Sequence, residues 1–266
     1  MAEHRDTPFS VSLRLQLRVL GALLMREIIT RYGRDNLGFL WLFAEPMLFT
    51  LGITALWTSA GLAHGSTLPV VAFALTGYSS VLLWRNCANR ASMAIPPNVG
   101  LLYHRNVRVL DLFAARIILE IAGATISFCV LSVAWLIIGW VEPPVDMLGV
   151  FVGWFFLAWF GGALAVVIGS LAAYSEMVER LWHPAAYLLF PLSGAGFMVE
   201  WLPTKFQEIV LLLPMVHGVE ILREGYFGNA VRTHYDMPYL FVSCMLLTLL
   251  GLALTRNAGR RVELQQ

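Results

Sequence analysis

Long apolar stretches separated by short polar segments dominate this chain. Five stretches reach or approach the length of about twenty residues that a helix needs to cross a bilayer, and they cover residues 37–60, 68–84, 117–140, 147–173 and 237–255. A sixth stretch, 182–199, is interrupted by Pro191, Gly194 and Gly196. None of them alternates apolar and polar residues as the strands of a membrane barrel do. The pattern predicts an all-α integral membrane protein with six transmembrane helices, the fifth of them broken.

The segment before the first span is amphipathic. One apolar stripe recurs at helical spacing, and it consists of Leu13, Leu17, Leu20, Leu24 and Ile28. We expect residues 1–36 to form a cytoplasmic tail with an amphipathic helix in the membrane interface. Residues 11–19 also alternate as a strand would, but a lone strand beside a bilayer leaves both edges unpaired. The remaining alternative is a merely solvated basic tail.

The region 191–236 resembles neither an ordinary loop nor a span. Residues 206–219 are mostly apolar, too short to cross, and split by Pro214. Irregular backbone at membrane depth is tolerated only when it is buried in protein or lines a wet cavity. The sequence therefore predicts a re-entrant element on the outer side that closes one end of a pathway, with simple packing flexibility as the alternative.

The distribution of basic residues predicts the orientation. Fifteen of the 18 lie in the N-terminal tail, the loop 85–112 with its flank, the short connection before the broken helix, and the C-terminal tail 256–266. Because arginine and lysine accumulate on the cytoplasmic side, we expect both termini to be cytoplasmic and residues 37–255 to form the transmembrane domain.

Composition supports a lipid environment. Apolar residues make up 58% of the 266 residues and charged residues only 13%, about half the charged fraction of soluble proteins. The net charge of +1 gives no indication of nucleic-acid binding. The three cysteines are far apart and show no metal-ligand spacing, so neither a metal site nor a disulfide framework is predicted.

The chain lacks the motifs of an ATPase and of common membrane hydrolases. A P-loop requires a lysine directly before serine or threonine, and the only lysine, Lys205, is followed by Phe206. HExxH and GxSxG are also absent. The chain is therefore not expected to hydrolyse nucleotide by the P-loop route, and no catalytic residue or cofactor is predicted for it. A transport protein and an integral-membrane enzyme of glycan assembly both stay open at this point.

One motif carries a family resemblance. It consists of REIITRYGR at 26–34 and LGFLW at 37–41, followed by Glu45 and Pro46. Supporting matches are NVGLLY at 98–103, Asp111, Ala115-Arg116, Pro214, His217, Glu220 and Arg223-Glu224. With these residues the chain resembles the permease subunit of ABC-2 type polysaccharide exporters, and most closely those that export capsular polysaccharide.

The resemblance implies a homodimer in the bacterial inner membrane, bound to two copies of a separate ABC ATPase that holds ATP and magnesium. The substrate would be a lipid-linked capsular or related cell-surface polysaccharide. A periplasmic co-polymerase or adaptor is a further expected partner, and it would dock on the outer region 205–236. Within the loop 85–112, the expected ATPase-coupling residues are Asn98, Leu101, Leu102, Tyr103 and His104, with Glu176 and Glu179 as a second contact. The alternative for this loop is an ordinary basic connection.

Three further groups of candidate residues follow from chemistry. Forked guanidinium donors suit phosphate or carboxylate, which makes Arg14, Arg18, Arg26, Arg31 and Arg34 candidates for contacts with lipid headgroups or substrate. Candidates for the polysaccharide path are Trp41, Glu45, Trp57, Tyr78, Trp84 and Trp159, and we expect an arginine partner for Glu45. The aromatic residues equally suit an interfacial belt. Candidates for an outer gate are Pro191, Gly194, Gly196, His217, Glu220 and Arg223.

The resemblance also leaves the cargo open in one respect. ABC-2 exporters of a small lipid, drug or peptide share the same architecture, so this is the alternative within the transport class.

Overall fold

The computed structural model describes residues 9–32, 40–59, 68–102 and 107–264, and in these ranges the chain is helical without strands. The helices are α1 (Phe9–Tyr32), α2 (Trp41–Ser59), α3 (Val70–Ser92), α4 (Val99–Leu102), α5 (Val109–Ile138), α6 (Met147–Tyr174), α7 (Glu176–Leu192), α8 (Thr204–Val210), α9 (Pro214–Phe227) and α10 (Met237–Leu264). The helical class expected from the apolar pattern is confirmed.

Three of the described helices are both long enough and apolar enough to cross a membrane. They are α5, α6 and the part of α10 up to residue 257. Each of them contains a long apolar run. The only proline in these three helices, Pro238, lies in the first turn of α10, where it breaks no backbone hydrogen bond of the helix.

Helix α6 lies at the centre of the bundle and packs against α3, α9 and α10. Its glycines allow this close approach, as small residues do between membrane helices. A Cβ on Gly161 would lie 2.7 Å from the Cα of Trp84 on α3, and one on Gly153 would lie 2.5 Å from the backbone nitrogen of Leu222 on α9.

The polar loop after the second predicted span is shorter than expected. Helix α3 continues to Ser92 and α5 begins at Val109, so both ends of the predicted loop 85–112 are helical. Apolar packing explains the continuation of α3, because Cys87 and Ala91 are buried against α5. Arg85 and Arg90 therefore lie in the C-terminal part of α3 and not in a loop.

The broken fifth helix has different bounds from those expected. The stretch 182–199 lies partly in α7, which starts at Glu176 and follows α6 after Ser175 alone. The Ser175 side chain accepts a hydrogen bond from the Met177 N–H and caps the helix. Helix α7 ends at Leu192, and the turn that follows contains Gly194 at φ 83°, a conformation that favours glycine.

Pro214 separates two short helices, as the sequence suggested. It occupies the first turn of α9, where its missing N–H leaves no hydrogen bond unmade. Residues 193–236 contain a 3-10 turn at Val199–Trp201 and the short helices α8 and α9. This segment is called the outer cap here, after the prediction that region 191–236 lies on the outer side.

Helix α1 confirms the helical alternative for the N-terminal segment. Leu20 and Leu24 of the stripe are half-buried beside Leu23, against Leu112 and Ala115 of α5, whereas Leu13 and Leu17 are exposed. The predicted apolar stripe is thus divided: its C-terminal part packs on the protein, and its N-terminal part presents apolar surface outward.

Candidate functional site

An ion-pair cluster joins three helices at the end of the bundle where α1 lies. Arg90 of α3 pairs with Glu45 of α2 at 3.6 Å and with Glu120 of α5 at 3.4 Å. Arg90 is the arginine partner expected for Glu45. Helix α2 begins only at Trp41, so Glu45 lies near the end of its helix and not at the middle of the span, where an ionised group would be more costly.

A second arginine links α1 to the same cluster. The Nε of Arg116 on α5 lies 3.0 Å from the carboxylate of Glu27 on α1. Its Nη1 donates a hydrogen bond of 2.7 Å to the carbonyl oxygen of Arg90. The side chain of Arg116 therefore links Glu27 of α1 to the backbone of α3 near its C-terminal end.

Two cavities flank Arg90. The first has a volume of about 380 Å³ and is lined by Arg26, Glu27, Arg116, Asn98 and Glu179 among others. The second, called here the α3–α7 pocket, has a volume of about 230 Å³. Glu45, Arg85, Asn86, Asn89, His183 and Tyr187 contribute to its wall.

The predicted coupling residues are only partly available to a partner. Asn98 is buried, accepts a hydrogen bond from Arg26 and donates one to the Ala94 carbonyl. Leu101 and Leu102 are half-buried against α1 and α5. Tyr103 and His104 lie outside the described residues. The described residues between α3 and the end of α4, 93–102, are here called the coupling segment. Its exposed residues are Met93, Pro96, Pro97, Val99 and Gly100.

The second predicted coupling contact is helical. Glu176 and Glu179 lie in the first turn of α7, not in a loop. Acidic residues stabilise a helix N-terminus through its dipole, which gives these carboxylates a structural role in addition to any contact. Glu179 also lines the larger cavity beside Arg26.

The structure places the predicted headgroup arginines along α1. Arg14, Arg18 and Arg26 are exposed, and Arg26 is tied to Asn98. The side chain of Arg31 and the whole of Arg34 lie outside the described residues.

The candidate aromatic residues fall into separate places. Trp41 is exposed at the start of α2. Trp57 lies near Phe73 and the turn at Gly196. The rings of Tyr78 and Phe190 meet in a T-shaped arrangement. Trp84 has no exposed surface and packs against Phe160, and Trp159 donates a hydrogen bond to Thr248 of α10. The structure thus brings Trp57 and Tyr78 to the α2, α3 and α7 side. It leaves Trp84 in the core and Trp159 on another face.

Arg223 of α9 organises the outer cap. Its side chain is fully buried and donates hydrogen bonds of 2.6 Å, 2.6 Å and 2.7 Å to the carbonyl oxygens of Gly194, Phe197 and Ala195. The guanidinium carbon lies 3.8 Å from the centre of the Phe73 ring, within range for a cation–π contact. Three carbonyls of the turn after α7 are therefore held by one side chain.

Glu220 binds two further segments of the cap. Its carboxylate accepts hydrogen bonds from the backbone N–H groups of Val199 and His234. Burial raises the pKa of Glu220, and these two hydrogen bonds and the charge of Arg223 oppose the shift. Burial also lowers the pKa of Arg223 to about 9, which Glu220 opposes, so the guanidinium is charged at neutral pH.

His217 joins α8 to the start of α10. Its Nδ1 accepts a hydrogen bond from the Asp236 N–H, which leaves Nε2 as the donor to the Leu211 carbonyl at 2.8 Å. This arrangement requires the neutral imidazole. Burial lowers the pKa of His217 and favours that form, against the hydrogen bond to Leu211 and the charge of Asp236.

The predicted gate residues therefore lie together. His217, Glu220 and Arg223 project from one short helix and hold the segments on either side of it. Of the remaining candidates, Gly194 lies in the turn that Arg223 binds, Gly196 approaches Trp57, and Pro191 is exposed at the end of α7.

Sequence reasoning missed the α3–α7 pocket and the role of Arg90. Both arginines of α3 were counted as loop residues because charge was taken to end the span. The signal was Glu120, which lies alone in an apolar helix and needs a partner. Within the described residues, no group of three or more histidine, cysteine, aspartate or glutamate side chains is placed to hold a metal ion.

Comparisons with known proteins agree with this architecture. The family model for the ABC-2 type transporter membrane domain matches residues 18–227. The chain is 50% identical over 260 residues to the capsule polysaccharide export inner-membrane protein CtrC of Neisseria meningitidis serogroup B, covering 97% of this chain and 98% of CtrC. CtrC of serogroup A is 47% identical over the full length of both chains.

A relative from another genus has the same description. The capsule polysaccharide export inner-membrane protein BexB of Haemophilus influenzae is 45% identical over 260 residues, with 98% of each chain covered. These matches confirm the resemblance drawn from the motif at 26–46. The chain belongs to the ABC-2 type transporter family, whose model matches most of its length.

Proposed function

We propose that this chain is the permease subunit of an ATP-driven exporter of lipid-linked capsular polysaccharide. The observation that carries the proposal is the similarity to capsule export proteins of two genera over almost the whole chain. Exporters of small lipids, drugs or peptides share the family domain alone. The end-to-end similarity favours the polysaccharide as cargo.

The proposed topology has six membrane crossings, made by α2, α3, α5, α6, α7 and α10. Helix α2 has 19 residues, and at a rise of 1.5 Å per residue this corresponds to about 28 Å. The accumulation of arginine in the N-terminal tail, in the loop after α3 and in the C-terminal tail supports a cytoplasmic position for α1 and both termini. Helices α8 and α9 then form a re-entrant pair at the periplasmic side, too short to cross.

Energy comes from a separate ATPase subunit, which binds ATP and magnesium. The absence of a P-loop lysine from this sequence supports this division of labour. Two permease copies and two ATPase copies form the working unit. The exposed residues between α3 and α5, Val99 among them, are the proposed docking surface.

The contacts at the α1 end suggest how docking is transmitted. The coupling segment is tied to α1 through Arg26 and Asn98, and α1 is tied to α3 and α5 through Glu27 and Arg116. A displacement of the segment would move α1 and the ends of two spanning helices together. The polymer moves along the side formed by α2, α3 and α7, and the outer cap closes the periplasmic end.

The outer cap is also the surface at which a periplasmic co-polymerase or adaptor would dock. Its exposed residues include Trp201, Phe206 and Ile209.

Complementation tests the proposed function. Expression of this chain in a capsulated bacterium that lacks its own export permease should restore polysaccharide at the cell surface, measured by antibody binding to intact cells. A strain without the permease should retain the polymer inside. Surface polysaccharide that is unchanged by the presence of the chain would contradict the proposal.

A further inference from the structure

The α3–α7 pocket contains cationic and amide donors that the ion-pair cluster does not use. Arg85 lies in its wall with its guanidinium carbon 5.6 Å from the centre of the Tyr187 ring. The buried Nε of Arg85 has no hydrogen-bond partner among the described residues. A buried guanidinium N–H without an acceptor is costly, so the described residues leave part of the hydrogen-bonding capacity of Arg85 unused.

The other polar groups of the pocket also favour an anion. Asn89 accepts a hydrogen bond from Trp182 through its Oδ1, so its amide N–H₂ is available as a donor. Asn86 adds a second amide. Among the described residues of the pocket wall, the one carboxylate belongs to Glu45 and is paired with Arg90. Arg85 therefore contributes a positive charge that is not balanced within the pocket.

The surroundings of the pocket fit a lipid. Arg85 lies seven residues before the end of α3, a distance of about 10 Å along the helix. In the proposed topology this end is cytoplasmic, and Arg85 then lies near the boundary between headgroups and acyl chains. Phe49 of α2 and Tyr187 of α7 stand at the two sides of the pocket, and both are largely exposed. A pocket that combines a cation and amide donors with exposed aromatic side chains at its sides is suited to a phosphodiester with attached acyl chains.

We propose that the α3–α7 pocket binds the phosphodiester group of an anionic lipid, with Arg85 as its principal ligand and Asn86 and Asn89 as additional donors. Planar guanidinium groups bind phosphate oxygens in a forked geometry. The inference rests on the proposed function, because the lipid would be the anchor of the exported polymer. The pocket would hold this anchor at the cytoplasmic side while the polymer enters the path.

Lipid titration of the purified full chain in detergent, followed by native mass spectrometry, tests this site. Dioleoyl phosphatidylglycerol should bind with one saturable, high-affinity adduct, whereas dioleoylglycerol, which lacks the phosphate, should not. Arg85→Gln should weaken the phosphatidylglycerol adduct by roughly tenfold or more, and Arg85→Lys should weaken it less, since charge is kept but the fork is lost. Arg232→Gln, which removes an exposed charge in the outer cap, serves as the matched control and should bind as wild type.

Free phosphate and a folding defect are each tested by a separate arm. Inorganic phosphate at the same concentration as the lipid should not displace it, and displacement would overturn the assignment to a lipid-borne group. Tyr187→Ala changes an exposed side chain, so it should fold even if Arg85→Gln does not, and it should also weaken the adduct. Equal affinity of Tyr187→Ala and wild type, or of a folded Arg85→Gln and wild type, would refute the site.

The assay requires neither polysaccharide nor ATPase. A chain that binds phosphatidylglycerol through Arg85 but fails to restore surface capsule would contradict the proposed function alone. A chain that restores capsule but binds lipid independently of Arg85 would contradict the pocket alone.

Discussion

Arg223 is the side chain on which the outer cap depends most. It is fully buried and holds the carbonyl oxygens of residues 194, 195 and 197, while Glu220 nearby carries the opposite charge. Gly77 of α3 makes room for it, because a Cβ there would lie 2.5 Å from the Arg223 Nη2. The cap is thus specified by one charged group and by the absence of a side chain opposite it.

Replacing Arg223 by methionine should therefore destabilise the protein severely. The substitution leaves three buried carbonyls without their donor and removes the positive charge near the buried Glu220, a loss of about 3 kcal/mol or more. Denaturant unfolding in detergent would measure it. Arg232→Met, at an exposed position of the same cap, should change the unfolding free energy little, and equal losses for the two variants would contradict the account of Arg223.

His217 should make the stability of the cap dependent on pH. Burial lowers its pKa below the ordinary value of 6.5, so the unfolded chain takes up the proton first as the pH falls. The stabilising contribution is complete above about pH 6.5 and is lost as the pH falls through the lower pKa of the folded protein. Protonation of Nδ1 would abolish the hydrogen bond from Asp236.

Unfolding free energies over a range of acidic pH check this expectation. Wild type should lose more stability on acidification than His217→Gln, which cannot titrate. If both lose the same amount, the neutral imidazole has no such role.

The residue types of the gate were predictable from the sequence, but their partners were not. Glu220 and Arg223 are ionisable groups in a mostly apolar stretch and therefore need partners. Those partners are mostly backbone groups of segments 14 to 29 residues away. Nothing in the side-chain pattern of the sequence marks a carbonyl oxygen as an acceptor.

At the scale of the helices, the central packing of α6 depends on individual glycines. Gly161 meets the backbone of Trp84, whereas a Cβ on the adjacent Gly162 would meet only the Cγ2 of Ile117 at 3.4 Å. The two positions differ in packing and share the same helix, which makes them a matched pair.

Gly161→Ala should lower the unfolding free energy by about 2 kcal/mol, since the backbone of α3 must move. Gly162→Ala should be tolerated or slightly stabilising, because alanine favours the helix by roughly 0.5–1 kcal/mol over glycine. Thermal unfolding in detergent distinguishes them. Similar melting temperatures for the two variants would show that the seam between α6 and α3 is not tight.

The proposed ATPase contact makes a different prediction from the one that the sequence alone gives. Leu101 packs on α1, whereas Val99 is 36% exposed. Val99→Glu should reduce co-purification of the ATPase by roughly tenfold or more without loss of folding, because it places a charge in an apolar contact. Leu101→Glu should instead destabilise the permease.

Val145→Glu provides the control. Val145 is exposed near the opposite end of the bundle, where its backbone N–H donates a hydrogen bond to the Tyr226 carbonyl. Its substitution by glutamate should leave co-purification of the ATPase unchanged. Normal ATPase binding by Val99→Glu would refute the proposed docking surface.

The helix bounds show which elements a sequence can specify. Residues 147–173 were predicted almost as α6 has them, since polar turns bound the stretch on both sides. The ends of α3 and α5 were missed, because Arg85, Arg90 and Arg116 were taken to lie in a loop. In the folded protein Arg90 pairs with Glu45 and Glu120, Arg116 pairs with Glu27, and Arg85 lines the α3–α7 pocket. Such long-range pairing is not visible in local hydropathy.

At the scale of the whole molecule, the two ends of the bundle have different chemistry. The α1 end holds paired arginines, two cavities and the coupling segment, and the other end is closed by the outer cap. This asymmetry agrees with the proposal that an anionic lipid binds at one side and the polymer leaves at the other. The side formed by α2, α3 and α7 connects the two.

The central claim is that this chain moves lipid-linked polysaccharide only when a separate ATPase drives it. Reconstitution into phospholipid vesicles with and without the partner ATPase, followed by measurement of ATP hydrolysis and of polymer transferred across the bilayer, tests it most directly. The account predicts no hydrolysis and no glycosyl transfer by the chain alone, and ATP-dependent transfer of the polymer once the ATPase is added. Glycosyl transfer by the chain alone, or ATP hydrolysis without polymer movement in the complete complex, would contradict it.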